Sequence, residues 1–444
     1  MKEKNINMTE GNPIKLLIAF ALPMMIGNIF QQFYNLVDSI VVGQLVGANA
    51  LASIGVTGSI TFLFFALCNG IGSGGGIVTS QFFGSGDTAR VKSCIANTAY
   101  IMVIFPLIVG GAAFFLAKPL LLLLKTPENL LADALLYTKM MSIGMVFVSL
   151  YNYVSSVLRA LGDSKTPLYF LIFSCFLNTV LDIVFVYFFH LNVFGAALAT
   201  LISQFLSGAL CLLYAFKTNP YFKLTKEDLA INKEVIKKSV RLGIPMSLQF
   251  SMIAISCMAL QRVVNTFGDT AAAAFTATSR IEQVIHQPYQ TLGAALATFS
   301  GQNFGAGKKD RVIQGYKKSL LLMAGFTLLM LPIMQLFGEP ITHLFVKEEE
   351  VIQMGAKALR ISSLFYIFLG VIYVVRGVLN GVGDAFFSLL NGVVEVIGRF
   401  AVPLLLTAIP LIHVWGIWWS VGIVWFISGF TAWLRYLFVI RHRI

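Results

Sequence analysis

The sequence predicts an all-α integral membrane protein in which twelve transmembrane helices form two homologous six-helix bundles, related as a parallel pseudo-two-fold repeat. Three observations predict it. The 444 residues are 57% hydrophobic and 12% charged, against roughly 45–50% and 25% in an average soluble domain, and mean hydropathy is +0.81. The apolar residues fall into twelve segments, each near the roughly 20 residues that a bilayer span requires. A glycine-rich motif and many single residues recur at an offset of 221 residues.

The segments lie at 14–43, 53–80, 95–117, 133–158, 167–190, 195–216, 241–267, 273–301, 315–338, 355–380, 385–411 and 415–440. The first exceeds the minimum length, so a tilt or bend is expected, and Pro23 removes a backbone donor inside it. Its apolar run continues from Ile14 past Asp38 with no small-residue cleavage site, so the amino terminus is expected to be retained. The five cysteines (Cys68, Cys94, Cys175, Cys211 and Cys257) lack paired or metal-like spacing and read as small core residues.

A net charge of +12 does not mark a nucleic-acid binder here, because the Lys and Arg residues sit in loops between apolar spans. Lys2, Lys4, Lys15, Arg90, Lys92, Arg159, Lys165, Arg441 and Arg443 fall on one side if the spans alternate, as do the basic stretches 217–241 and 308–318. The opposite side has Gly47 to Asn49, His190 to Asn192 and Gly268 to Thr270, almost without positive charge, plus the mixed segments 118–139 and 339–360. The positive-inside rule places both termini in the cytoplasm of a multi-pass cell-membrane protein.

The repeat pairs Gln81-Phe82-Phe83-Gly84-Ser85-Gly86 with Gln302-Asn303-Phe304-Gly305-Ala306-Gly307. The same offset pairs Gly47 with Gly268, Gly162-Asp163 with Gly383-Asp384, and Ser207-Gly208 with Ser428-Gly429. One deleted residue brings Pro23 onto Pro245. Each half has an even number of spans, so both enter the membrane from the same side, and a parallel repeat of this kind is a transporter architecture. The expected organisation is an amino-terminal lobe at 1–216, a cytoplasmic linker at 217–240 and a carboxy-terminal lobe at 241–444.

Ionisable side chains at bilayer depth are costly and mark function. Asp38 in the first span and Asp182 in the fifth have no Lys or Arg one helical turn away. Gln31 and Asn35 share the face of Asp38, and Asn178 lies one turn before Asp182. Two carboxylates among amides suit a proton site, and they equally suit Na⁺, a hard cation that takes oxygen ligands. In the second half, Glu282 and His286 share a face, and Glu395 precedes Arg399 at the i, i+4 spacing of an intrahelical ion pair. These four residues define a candidate carboxy-lobe site, in which a neutralised structural pair is the expectation for Glu395. The Gly72 to Gly76 cluster lacks the strand and Lys of a phosphate cradle and reads as close helix packing.

Taken together, the chain resembles the multidrug and toxic compound extrusion (MATE) exporters along nearly its whole length. Pro23, Gln31 and Asp38 in the first span, with Asn178, Asp182 and Thr200 in the fifth and sixth, resemble the amino-lobe cation site of prokaryotic members. The Gln-x-x-Gly-x-Gly and Arg159 to Asp163 segments are similar to MATE motifs as well. The resemblance implies antiport, in which H⁺ or Na⁺ enters while a lipophilic, often cationic, drug or metabolite leaves. Asp38 and Asp182 would carry the coupling charge, assisted by Asn178 and Thr200. The seventh span offers Gln249, Ser251, Ser256, Cys257 and Gln261 in place of the acidic residue of NorM-like members, so the chain looks more like the DinF-like and MepA-like branches.

The competing reading is a flippase for a lipid-linked or glycolipid substrate, whose cavity would carry cationic residues where the first half here is acidic. An intramembrane enzyme is the least expected reading, since no His-Glu-x-x-His, paired Gly-x-Ser-x-Gly or cofactor signature is present. The expected partners are small-molecule substrates, the coupling ion and the bilayer. A monomer is expected, with no nucleic acid, no cofactor and no metal beyond Na⁺ at Asp38, Asn178, Asp182 and Thr200.

Overall fold

A computed structural model describes residues 6–441, so the expectations for Lys2, Lys4 and Arg443 lie outside the described residues. Every described element is helical. They are α1 (Pro13–Leu45), α2 (Ala48–Gly84), α3 (Thr88–Leu123), α4 (Glu128–Ile143), α5 (Met145–Ala160), α6 (Lys165–Asp182) and α7 (Asn192–Thr218) in the first half. In the second half come α8 (Lys233–Val264), α9 (Asp269–Gly305), α10 (Lys309–His343), α11 (Glu349–Ser363), α12 (Tyr366–Val382), α13 (Ala385–Thr407) and α14 (Gly416–Arg435).

Nine helices are long and apolar enough to cross a bilayer, and two bent pairs bring the number to eleven among the described residues. The pair α4 and α5 bends by 45°, and α11 and α12 bend by 52°. Each pair corresponds to one predicted span, so the fourth and tenth spans are broken helices. The remaining predicted span is α9, a helix of 37 residues made more polar by Arg280, Glu282, Gln283, His286 and Gln287. The chain stays helical through Pro23, which lies inside α1.

The repeat reappears in backbone conformations that carry an energetic cost. Positive φ angles occur in pairs at the same offset: Gly47 and Gly268 (121° and 86°), Gly86 and Gly307 (76° and 69°), Gly162 and Gly383 (88° and 93°). Even Asn192 and His413, which are not glycine, share φ values of 49° and 45°. A left-handed conformation costs an ordinary L-residue roughly 1–2 kcal/mol, so four such coincidences reflect two copies of one design.

Clustering of the chain gives two compact units. Among the described residues, one comprises 6–7 and 22–248, and the other comprises 8–21 and 249–441. The division within the second half thus falls inside α8, just past Pro245, where the sequence reading drew the lobe from 241. In the first unit, the Gly72 to Gly76 cluster packs as expected. A Cβ at Gly75 would strike the Thr98 side chain of α3, and one at Gly76 would strike Ser156 of α5. Ser156 uses that proximity to donate its hydroxyl to the Gly72 carbonyl at 2.8 Å. In the linker, the backbone N–H and hydroxyl of Thr225 bond the Asp228 carboxylate at 2.8 and 2.9 Å, with Lys92 nearby at 3.8 Å. The Thr225 bonds first, and then the Lys92 charge, hold the Asp228 pKa below the usual carboxylate value.

Gly162 offers a direct test of the packing. Its φ is +88°, and a Cβ there would collide with the Ile6 carbonyl, whereas Gly86, at φ +76°, faces open space. Gly86→Ala should cost only the left-handed penalty of about 1–2 kcal/mol. Gly162→Ala should cost clearly more and lower the thermal midpoint of the purified protein further. Equal midpoints for the two variants would refute the close contact at Gly162.

Candidate functional site

In the first unit, α1, α6 and α7 bring together the residues singled out in the sequence. Asp182 is the last residue of α6, at the point where the chain passes into a π-helix at Ile183–Phe188. Such wide turns are rare and recur at functional sites. Asp182, Asn178 and Thr200 are buried, while Asp38 is partly buried. The Asp38 and Asp182 carboxyls face one another within hydrogen-bonding reach. One buried oxygen on each, Oδ1, has no hydrogen-bond partner.

The Asn178 amide fits its surroundings in one orientation. Its nitrogen then donates to Asp182 Oδ2 at 2.8 Å, and its oxygen accepts from the Thr200 backbone N–H at 3.1 Å. The Thr200 hydroxyl donates to the Ala196 carbonyl at 3.1 Å and accepts from the Tyr34 hydroxyl at 3.3 Å. None of the described ion pairs involves Asp38 or Asp182, so no side-chain cation neutralises them. Gln31 is partly buried and Asn35 is exposed.

Two tyrosines escaped the sequence reading. Tyr34 on α1 and Tyr137 on α4 lie within electrostatic range of both carboxyls. Tyr34 is one helical turn before Asp38 and could have been found on the same face. Tyr137 carried no such signal, because it arrives from a helix about a hundred residues further along.

In the second unit the expected pairing is corrected. Glu395 does not pair with Arg399. It binds Arg376 of α12, with Arg376 Nη2 donating to Glu395 Oε1 at 2.7 Å and side-chain exposures of 6% and 7%. The Arg376 Nε donates to Asn391 Oδ1 at 2.8 Å. The Ser428 hydroxyl donates within reach of Glu395 Oε1 and Asn391 Oδ1, both at 3.1 Å. A helix turn puts i and i+4 side chains on the same face, but a buried partner on a neighbouring helix that brings further hydrogen bonds wins. Arg376 is the residue the sequence reading missed, a lone Arg inside the apolar stretch Tyr366–Val382.

Arg399 instead donates from Nη1 to Cys257 Sγ at 3.3 Å, while its Nε is buried without a partner. Cys257 is exposed and Cys175 partly so, which corrects their reading as core residues, whereas Cys68, Cys94 and Cys211 are buried. The His286 ring stands edge-on to Trp425 and Tyr366, with centroids at 5.4 and 6.5 Å. Glu282 Oε1 and His286 Nε2 are buried and unpartnered.

The family model MatE matches residues 23–184 and 245–413. The chain is 33% identical over 381 residues to the probable multidrug resistance protein YpnP of Bacillus subtilis (strain 168), covering 86% of this chain and 85% of that protein. It is 23% identical over 450 residues to the multidrug export protein MepA of Staphylococcus aureus (strain MSSA476), covering 100% of this chain and 98% of the relative. A solved MATE structure in the straight conformation superposes with a TM-score of 0.88 at 23% identity over 100% of both chains. An outward-facing multidrug resistance MATE transporter of the MOP superfamily gives 0.88 at 23% identity, covering 98% of this chain and 97% of its own.

Proposed function

The chain belongs to the MATE family of multidrug efflux transporters, and from that premise we propose that it is a proton-coupled antiporter exporting lipophilic, often cationic, compounds across the cell membrane. The observation that carries the reading is the facing pair Asp38 and Asp182, which lacks a cationic partner. Two neighbouring carboxyls without a cation are accommodated most readily when one of them holds a proton, and that proton is the coupling ion. Releasing it on one side of the membrane leaves a charge that favours a cationic substrate or the next proton.

Sodium is the second reading, because Asp38, Asp182 and Thr200 offer oxygens. The Asn178 orientation counts against it. Its amide nitrogen faces Asp182 and its oxygen is already engaged by Thr200 N–H, so Asn178 presents a donor where a cation needs a ligand. The flippase reading finds no support in this acidic site.

The test is ethidium transport by proteoliposomes under separately imposed gradients. A pH gradient alone should drive uphill transport, and a Na⁺ gradient alone should not. Transport driven by Na⁺ at uniform pH would refute the proton assignment. The same reading puts both termini in the cytoplasm, following the basic loops. In a background without the five native cysteines, Asn192→Cys should be labelled by an impermeant maleimide from outside, and Lys226→Cys only after permeabilisation. External labelling at Lys226→Cys would overturn the topology.

A further inference from the structure

We propose that Arg399 is the anion-binding half of a second ligand site in the carboxy-terminal unit, one that takes a zwitterionic amphiphile. The ligand's carboxylate docks on the guanidinium, and its cationic body lies towards Glu282. This goes beyond the coupling reading, since it concerns substrate chemistry at residues remote in sequence from Asp38 and Asp182.

Arg399 closes no direct ion pair among the described residues. It lies well inside α13, a span of 23 residues, and a guanidinium cannot discharge itself by losing a proton. Arginines at such depth pair with carboxylates or backbone carbonyls. The carboxylate four residues away is bound to Arg376. One terminal nitrogen rests on Cys257 Sγ at 3.3 Å, a weak acceptor. That leaves the Nε side of the guanidinium, whose Nε has no partner. The Nε–Nη2 edge is the planar fork that matches a carboxylate through two parallel hydrogen bonds.

The surroundings narrow the ligand. Cys257, Glu395, Tyr373 and Glu282 are the titratable groups that act on Arg399, and Arg399 acts in turn on His286. Nearby, Glu282 Oε1, His286 Nε2 and the Tyr366 hydroxyl are buried without a hydrogen-bond partner, while Ser362 lies within hydrogen-bonding reach of Glu282. Native proteins rarely leave several such atoms unmet in one place. A simple anion would meet the repulsion of Glu282, and a simple cation that of Arg399. A zwitterion answers both, and the rings of Tyr366 and Trp425, buried against His286, close the apolar back of the cluster.

The experiment measures binding by the full-length protein in nanodiscs, without any gradient, so that its outcome is independent of coupling. The probes are rhodamine B, a zwitterion, and its ethyl ester, which keeps the cationic rings but lacks the carboxylate. Fluorescence anisotropy should show rhodamine B bound about tenfold more tightly than the ester. Arg399→Gln should abolish that preference and leave ester affinity unchanged, and Arg399→Lys should retain only part of it. Glu282→Gln should weaken both dyes. Asp38→Asn should preserve the preference even where transport is lost, which separates this proposal from the coupling reading.

A preference unchanged in Arg399→Gln, or an equal loss for both dyes, would overturn the proposal. If Arg399→Gln does not purify as a monodisperse protein, Arg399→Lys decides the same question by the same ratio. Repeating the measurement in phosphatidylcholine and phosphatidylglycerol discs identifies the source of the anion. A preference that vanishes only in phosphatidylglycerol would make a lipid phosphate the occupant and refute a substrate carboxylate.

Discussion

Asp38→Asn and Asp182→Asn proteins are expected to reach the membrane folded and to lose uphill export. The two carboxyls sit without a side-chain cation among the described residues, so their charge must be balanced by something that comes and goes. An amide preserves size and hydrogen bonding but carries no exchangeable charge. Moving one charge through 100 mV is worth about 2.3 kcal/mol, which corresponds to a roughly 40- to 50-fold accumulation ratio. A variant unable to move that charge should therefore equilibrate its substrate instead of concentrating it. Ethidium transport in proteoliposomes, normalised to the protein recovered by size exclusion, is the measurement. Near-wild-type accumulation by both variants would end the amino-lobe assignment and move attention to Glu282 and His286.

The readable and unreadable parts of this molecule divide along a physical line. Apolar segment length and the 221-residue register are one-dimensional properties, and they anticipated the repeated backbone at Gly47 and Gly268 or Gly162 and Gly383. Asp38 and Asp182 were legible for a related reason, since an acid in an apolar span is conspicuous wherever its helix lies. Partners were legible only along one helix. Asn178 could be placed beside Asp182 because a helical turn separates them, but nothing in the sequence says that α4 delivers Tyr137 to the same place. The breaks near Gly144 and between Ser363 and Tyr366 were missed as well, because each half of a bent span is too apolar to betray the interruption.

The repeat itself explains why the two halves support different chemistry. At the shared offset, Arg376 and Glu395 replace Ser155 and Ser174, and Arg399 replaces Asn178. The second copy thus gained one internally balanced pair and one further cation. Asp182 falls on the imino acid Pro403 at that offset, and Asp38 falls on Ala259, or on Leu260 in the register that pairs Pro23 with Pro245; none of these is ionisable. A single architecture places an acidic pair without a side-chain cation in one unit and a neutralised Arg376–Glu395 network in the other, through differences at a few matched positions.

The buried pair gives the last expected result. Glu395→Gln should lower both folded yield and thermal midpoint without a specific effect on coupling. Arg376 keeps its proton under any accessible condition, so the variant strands a cation whose side chain is only 6% exposed. The introduced amide could still accept a hydrogen bond, but the Coulomb attraction across the 2.7 Å contact is gone while the desolvation cost remains. Breaking such a pair typically costs about 3–5 kcal/mol, whereas replacing both partners with apolar residues of similar size is often neutral. Arg376→Met combined with Glu395→Met should accordingly recover much of the stability lost in Glu395→Gln. The Asn391 and Ser428 groups left behind set a limit on that recovery, since Asn391 still bonds the Ser428 carbonyl at 2.8 Å but loses its Arg376 donor. Arg399→Gln provides the contrast, because Arg399 is not Glu395's partner and its removal should leave the midpoint close to wild type. If Arg399→Gln proved as destabilising as Glu395→Gln, the i, i+4 pairing would regain its place and Arg376 would cease to be the partner that matters.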